Sequence, residues 1–145
     1  TLFFGLRESL NILLHEEGLE NVWRRHAVIG TAVRNAALAM GLSLFAEKGY
    51  ESDTVTAITM PEGIAYKALA EVLRERYHVI IGGGLQKLQG KIFRIGHIGA
   101  LHITEVLAIM GAVELALVQC GHKARLGSAA QAAAETYLRM TPTAG

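Results

Sequence analysis

The stretch Val79-Ile80-Ile81-Gly82-Gly83-Gly84-Leu85-Gln86-Lys87-Leu88-Gln89-Gly90-Lys91-Ile92-Phe93-Arg94-Ile95-Gly96 decides how the rest of the chain is read. Its glycines and its Gly90-Lys91 pair invite comparison with a phosphate-binding loop. Such a loop needs G-x-x-x-x-G-K-[ST] at the mouth of a helix. Here Leu85 stands five residues before Gly90, Ile92 stands where a hydroxyl should ligate magnesium, and the segment that follows is β-rich. The comparison fails on all three points. What remains is a short strand at Val79–Ile81, a glycine-rich connection and a second strand at Lys91–Ile95.

Outward from this pair the hydrophobic period changes twice. On the N-terminal side, Ile64–Tyr77 reads as a helix, with Leu69, Val72, Leu73 and Arg76 sharing a face. Before it, Val55–Met60 and Leu42–Glu47 alternate with the period of strands, and Pro61-Glu62-Gly63 supplies turn chemistry. Two helical stretches open the chain. Leu2–Leu14 and Leu19–Met40 are separated by Gly18, and Gly41 is placed to cap the second. On the C-terminal side, Ile103–Gln119 is apolar nearly all round, and an Ala-rich helix over Ser128–Met140 precedes a Thr-Pro tail. The expected fold is α+β: a small mixed β-sheet covered by helices (residues 42–145), preceded by a long helical arm (residues 1–41).

Composition limits the function classes. The chain has 145 residues, 51% hydrophobic and 19% charged, which suits a single domain that buries roughly 70% of its unfolded surface. Fourteen basic and thirteen acidic residues leave a net charge of +1 without a like-charge run, so no nucleic-acid partner is expected. The longest apolar run, Val106–Val118, is interrupted by Glu114 and is shorter than a membrane crossing, so no membrane partner is expected. Cys120 is the single cysteine, which points to a reducing, cytoplasmic setting. The chain opens on Thr, which suggests a processed or truncated piece.

Candidate chemistry is sparse. His15, His26, His78, His97, His102 and His122 show no ligand spacing on one helix face, and core or surface histidines with satisfied hydrogen bonds are the expectation rather than a metal site. No serine lies in a nucleophile elbow, and Cys120 falls at a helix C-terminus, where a thiolate is disfavoured. Catalytic residues are therefore not assigned. Arg94 stands out, because it lies in an apolar strand, on the face of Ile92 and opposite Phe93 and Ile95. Two readings remain open from the residues. Its stem packs on an edge strand while its head reaches water, or its planar fork grips a ligand carboxylate through two parallel hydrogen bonds.

Five segments occur in an informative order: Gly5-Leu6-Arg7-Glu8-Ser9-Leu10, Glu17–His26, Ser52–Ala57, Gly83-Gly84-Leu85 and Gly90–Gly99. Together they resemble the C-terminal part of the class V pyridoxal-phosphate aminotransferases, in the alanine–glyoxylate and serine–glyoxylate branch. The resemblance runs from Thr1 to about Ala134. It implies a homodimeric fold type I enzyme in which a large domain holds the cofactor lysine and a small domain closes over small amino acid and 2-oxo acid substrates. It also implies that Arg94 binds the substrate α-carboxylate and that Gly82–Gly84 lie nearby. None of Lys48, Lys67, Lys87, Lys91 and Lys123 stands in the context of the cofactor lysine, so pyridoxal 5′-phosphate is expected to be held mainly outside this chain. Where many relatives carry an acidic residue after the equivalent of Gly99, this chain has Ala100-Leu101-His102. The alternative expectation is a non-catalytic fragment or dimerisation module that binds no cofactor.

Overall fold

The computed structural model describes residues 1–141, so the tail from 142 onward lies outside the described residues. Helix α1 (Leu2–Asn11) continues into a π-helical turn at Ile12–Glu16, and Gly18, at φ +81°, turns the chain into α2 (Leu19–Ala39). Then follow β1 (Val55–Thr59), α3 (Tyr66–Tyr77), β2 (Gly82–Gly83), a 3₁₀ turn at Gln86–Leu88, β3 (Ile92–Gly96), α4 (Ile103–Gln119) and α5 (Ser128–Met140). Gly41 does cap α2. Its positive φ lets Gly41 N–H reach Leu38 O and Leu42 N–H reach Ala37 O.

The α+β class holds, with one correction. The sheet is antiparallel throughout rather than mixed, in the order β1-β3-β2. The β1-α3-β2 unit does bring two strands round in the same direction, but β3 inserts between them, so no parallel pair forms. Two strand boundaries also differ. Leu42–Glu47 contributes only an isolated bridge, Leu44 to Ile58, because the chain bends away after Phe45 donates to Ala57 O. The strand expected at Val79–Ile81 forms one step later, on the glycines themselves.

The hydrophobic core lies between the sheet and the helices. Ile58, Phe93 and Ile95 project from the sheet towards Met110, Val113 and Leu117 of α4 and Leu69 and Leu73 of α3. Small residues let α2 and α5 approach closely, with Ala32, Ala36 and Ala37 on one side and Ala129 and Ala133 on the other, all fully buried. The stretch expected as an arm thus divides at Gly18. Residues of α2 are full members of the core, whereas α1 buries none and leaves Leu2, Phe3, Phe4 and Leu6 exposed. Among the described residues no helix is long and apolar enough to cross a membrane.

Among the described residues, Glu114 is the one buried acid, at 3% exposure. Its carboxylate reaches from α4 to the start of α5 and accepts from the N–H groups of Gly127 and Ala129 (2.9 Å) and from the Ser128 hydroxyl (2.8 Å). Burial pushes this carboxyl up, but the hydrogen bonds outweigh it and hold the group below the usual glutamate value. The site favours an anion because the unpaired N–H groups of a helix start converge there. The N-terminus of α4 is capped differently. Glu105 accepts from His102 N–H at 2.8 Å, and the His102 side chain returns the contact to the backbone N–H of Thr104.

Candidate functional site

The alternation of β3 sorts its residues onto two faces, and the register fixes what lies beside each. Phe93 pairs with Ile58 and faces the core, while Arg94 pairs with Ala57 of β1 and Gly82 of β2 on the other face. The Arg94 stem therefore runs between two of the smallest residues available. A β-carbon on Gly82 would stand 3.4 Å from Nη2 and 3.5 Å from Nε of Arg94, so the guanidinium lies directly across this glycine. Arg94 Nε donates to Gly83 O at 2.9 Å. Nη1 and Nη2 have no protein partner among the described residues, and neither is a buried unsatisfied atom, so both are open to solvent. No acidic side chain forms an ion pair with Arg94 among the described residues.

A strand arginine that is half-buried, fixed through Nε and free at both terminal nitrogens offers an end-on fork. That arrangement suits a planar anion such as a carboxylate, which can accept from both nitrogens at once.

The glycine triplet proves to be packed strand and strand exit rather than a free connection. Gly82 and Gly83 form β2, and none of the three glycines has a positive φ. Space, not backbone freedom, selects glycine at 83 and 84. Arg94 lies over Gly82. A β-carbon on Gly83 would stand 2.9 Å from Tyr66 Cζ, on the side of the sheet away from Arg94. One on Gly84 would stand 2.0 Å from the Leu88 carbonyl oxygen. Tyr66 in turn donates its hydroxyl to Ile81 O at 3.1 Å. Gly82 and Gly83 thus lie directly against Arg94.

A second cluster gathers residues of Glu17–His26, Ser52–Ala57 and the end of Gly90–Gly99. Arg25 holds Glu17 through two hydrogen bonds, at 2.7 and 2.8 Å, and also donates to Gly99 O. The hydrogen bonds from Arg25 hold the Glu17 carboxyl below its usual value. Gly99 N–H donates to His26 Nε2, leaving Nδ1–H of His26 to donate to Val22 O. His97, 1% exposed, donates from Nδ1 to Asp53 O and accepts from the Thr56 hydroxyl at Nε2. Burial holds His97 below the usual histidine value. Arg34 reaches Ser52 O, Thr31 Oγ1 and Asp53 Oδ1. Gly30 makes this possible, since a β-carbon there would crowd His97 Cε1 at 3.1 Å and Asp53 Cα at 3.2 Å.

The network ties α2 to the entry of β1 and the exit of β3, which sets where the Arg94 strand ends. No sequence pattern marks these residues as partners, because they meet only in the fold. His26 and His97 fit the expectation of histidines with satisfied hydrogen bonds.

No protein-family model matches the chain. Comparison with curated proteins is decisive. Over 144 residues, 99% of its length, the chain is 45% identical to a serine–glyoxylate aminotransferase of Methylorubrum extorquens. It belongs to the class V aminotransferases. Among solved structures it is similar to the ureidoglycine–glyoxylate aminotransferase of Bacillus subtilis, with a TM-score of 0.86 and 32% identity over 91% of this chain. The pyridoxamine–pyruvate aminotransferase of Mesorhizobium loti matches with a TM-score of 0.83 and 35% identity over 87% of this chain. The chain spans 35% of the first of these relatives and 34% and 33% of the other two, and it corresponds to their C-terminal part.

Pyridoxal phosphate is the cofactor that this family implies. The described residues do not fit a seat for it by themselves. All five lysines are exposed, and no lysine side chain makes a hydrogen bond or ion pair among the described residues. No chemical step through the cofactor is therefore assigned to this chain.

Proposed function

We propose that this chain is the carboxylate-binding small domain of a pyridoxal-phosphate aminotransferase that moves an amino group from alanine or serine to glyoxylate. Arg94 is its substrate-binding residue. The observation that carries the reading is the half-buried Arg94 guanidinium, anchored by Nε on Gly83 O with both terminal nitrogens unpaired among the described residues and neither fully buried. Both proposed donors and glyoxylate share a carboxylate next to the reacting carbon, so one fork serves both halves of the reaction. The cofactor supplies the electron sink for amino transfer, and the role of this chain is orientation. Holding the carboxylate fixes the neighbouring C–H bond in space, which is worth more to the rate than the contact alone.

The relatives differ in amino donor: serine for one, ureidoglycine and pyridoxamine for others. Donor choice accordingly belongs mainly to contacts outside this chain. A homodimer in a cytoplasmic setting is part of the same proposal. The exposed apolar face of α1 and the unpaired Cys120 accord with it.

The test is Arg94→Lys in the full-length enzyme. Lysine keeps the charge but loses the fork. KM for both the amino donor and glyoxylate should rise by about tenfold or more. Unchanged KM for both substrates would remove Arg94 from the site. After incubation with pyridoxal phosphate and removal of the free cofactor by gel filtration, this chain alone should retain no visible cofactor band. A stable band would contradict the assignment of the cofactor to the remainder of the enzyme.

A further inference from the structure

We propose that Tyr66, which lies on the opposite side of the sheet from Arg94, is a positioning residue for the Arg94 fork. The inference rests on the reading of Arg94 as the carboxylate ligand. The glycine strand β2 is a thin slat between two side chains. Arg94 crosses its outer face at Gly82, and the Tyr66 ring packs on its inner face at Gly83. The peptide oxygen that holds Arg94 Nε belongs to Gly83, the residue against which Tyr66 rests. Tyr66 also fixes the residue before the slat, through its hydroxyl on Ile81 O.

β2 has little else to hold it. It is two residues long, carries no side chains and lies at the edge of the sheet, paired only with β3. A glycine segment of this kind has wide conformational freedom unless neighbours restrict it. Two groups restrict it from the helix side: the ring beneath Gly83 and the hydroxyl beneath Ile81. Both belong to Tyr66, the first residue of α3. Displacing the ring lets Gly83 sink towards the core and carries its carbonyl oxygen away from Nε. The guanidinium then loses the anchor that turns Nη1 and Nη2 outward together. A misaligned fork still offers charge but no longer two parallel bonds.

The experiment compares Tyr66→Phe, Tyr66→Ala and Arg94→Lys in the full-length holoenzyme. It measures KM and kcat for both substrates, Ki for propionate as a bare carboxylate, the cofactor absorbance band and the melting temperature. Tyr66→Phe keeps the ring and loses only the Ile81 bond, so it guards against a failure of Tyr66→Ala to fold. The expected result is a rise in KM and in propionate Ki of about twofold to fivefold for Phe and about tenfold for Ala. The cofactor band should be unchanged, and kcat should stay within about twofold for the Phe variant.

A purely structural role for Tyr66 would lower the melting temperature and leave KM and Ki alone, and that outcome overturns the proposal. If Arg94→Lys raises KM and Ki while both Tyr66 variants that fold do not, the positioning role fails and the carboxylate reading stands. If Arg94→Lys itself leaves KM and Ki unchanged, the carboxylate reading fails, and this inference falls with it.

Discussion

Replacing Glu114 by Ala should cost this domain about 4 kcal/mol. The figure follows from what the side chain holds. Three donors, Gly127 N–H, Ser128 Oγ–H and Ala129 N–H, converge on one carboxylate that is 3% exposed. Each donor left unpaired in a buried place costs about 1–3 kcal/mol. Partial access of water to the Gly127 turn offsets part of that sum, since Gly127 itself is exposed. Glu114→Gln keeps one acceptor oxygen but turns an amide N–H₂ towards the donors, so about 2–3 kcal/mol should be lost. Urea unfolding followed by helical circular dichroism gives both numbers.

The pH dependence supplies an independent check. The folded carboxyl is held below its unfolded value, so the unfolded chain binds the proton more readily. The stabilisation is complete above about pH 4.5 and is lost as pH falls through the lower folded value. Subtracting the Glu114→Gln pH–stability curve from that of the unaltered chain cancels the other carboxylates. The difference should shrink below pH 4.5. A loss under about 1 kcal/mol in Glu114→Ala, or a pH-independent difference in Glu114→Gln, would refute the reasoning.

Two further outcomes follow from the packing. His97 should resist protonation in the folded state, because burial lowers its value and Thr56 and Asp53 fix the neutral ring. Its stabilising share is full above about pH 6.5 and declines as the pH drops towards the folded value, because the unfolded imidazole takes up its proton first. Imidazole resonances that retain the neutral, Nδ1-protonated pattern below pH 6.5 would bear this out, and titration at or above that value would count against it. Gly84→Ala should cost more than about 3 kcal/mol or prevent folding, because the added carbon meets the Leu88 carbonyl oxygen and backbone must move. A thermal melt within a few degrees of the unaltered chain would show that the 3₁₀ turn yields easily.

Periodicity revealed most of the helices, and the reason is physical. α4 was legible as a long run apolar nearly all round and α5 as an Ala-rich stretch following Gly127, so Ile103–Gln119 and a helix from about Ser128 to Met140 could be read from the residues. Leu42–Glu47 misled because alternation shows only that one side is apolar. It does not reveal whether a partner strand continues, and here the partner contact ends after one bridge. The mixed sheet failed for a similar reason, since insertion of β3 between β1 and β2 is a long-range fact. Arg94 was conspicuous because a guanidinium among Ile92, Phe93 and Ile95 breaks the local pattern. Tyr66 carried no such signal, and Glu114 showed only as a break in the apolar run Val106–Val118. A tyrosine at a helix start and a glutamate in an apolar helix are both common, and their importance comes from contacts 15 and 13–15 residues away.

The glycine triplet has a bearing on how this protein can change over generations. The three positions face different neighbours: a β-carbon at 82 would rest in ordinary contact with the Arg94 guanidinium, one at 83 would meet the Tyr66 ring, and one at 84 the Leu88 carbonyl. Position 82 therefore admits alanine as it stands. Position 83 opens to alanine only after residue 66 has shrunk. Position 84 meets backbone, which cannot shrink. Among descendants, 82 should tolerate alanine, residues 83 and 66 should covary, and 84 should stay glycine.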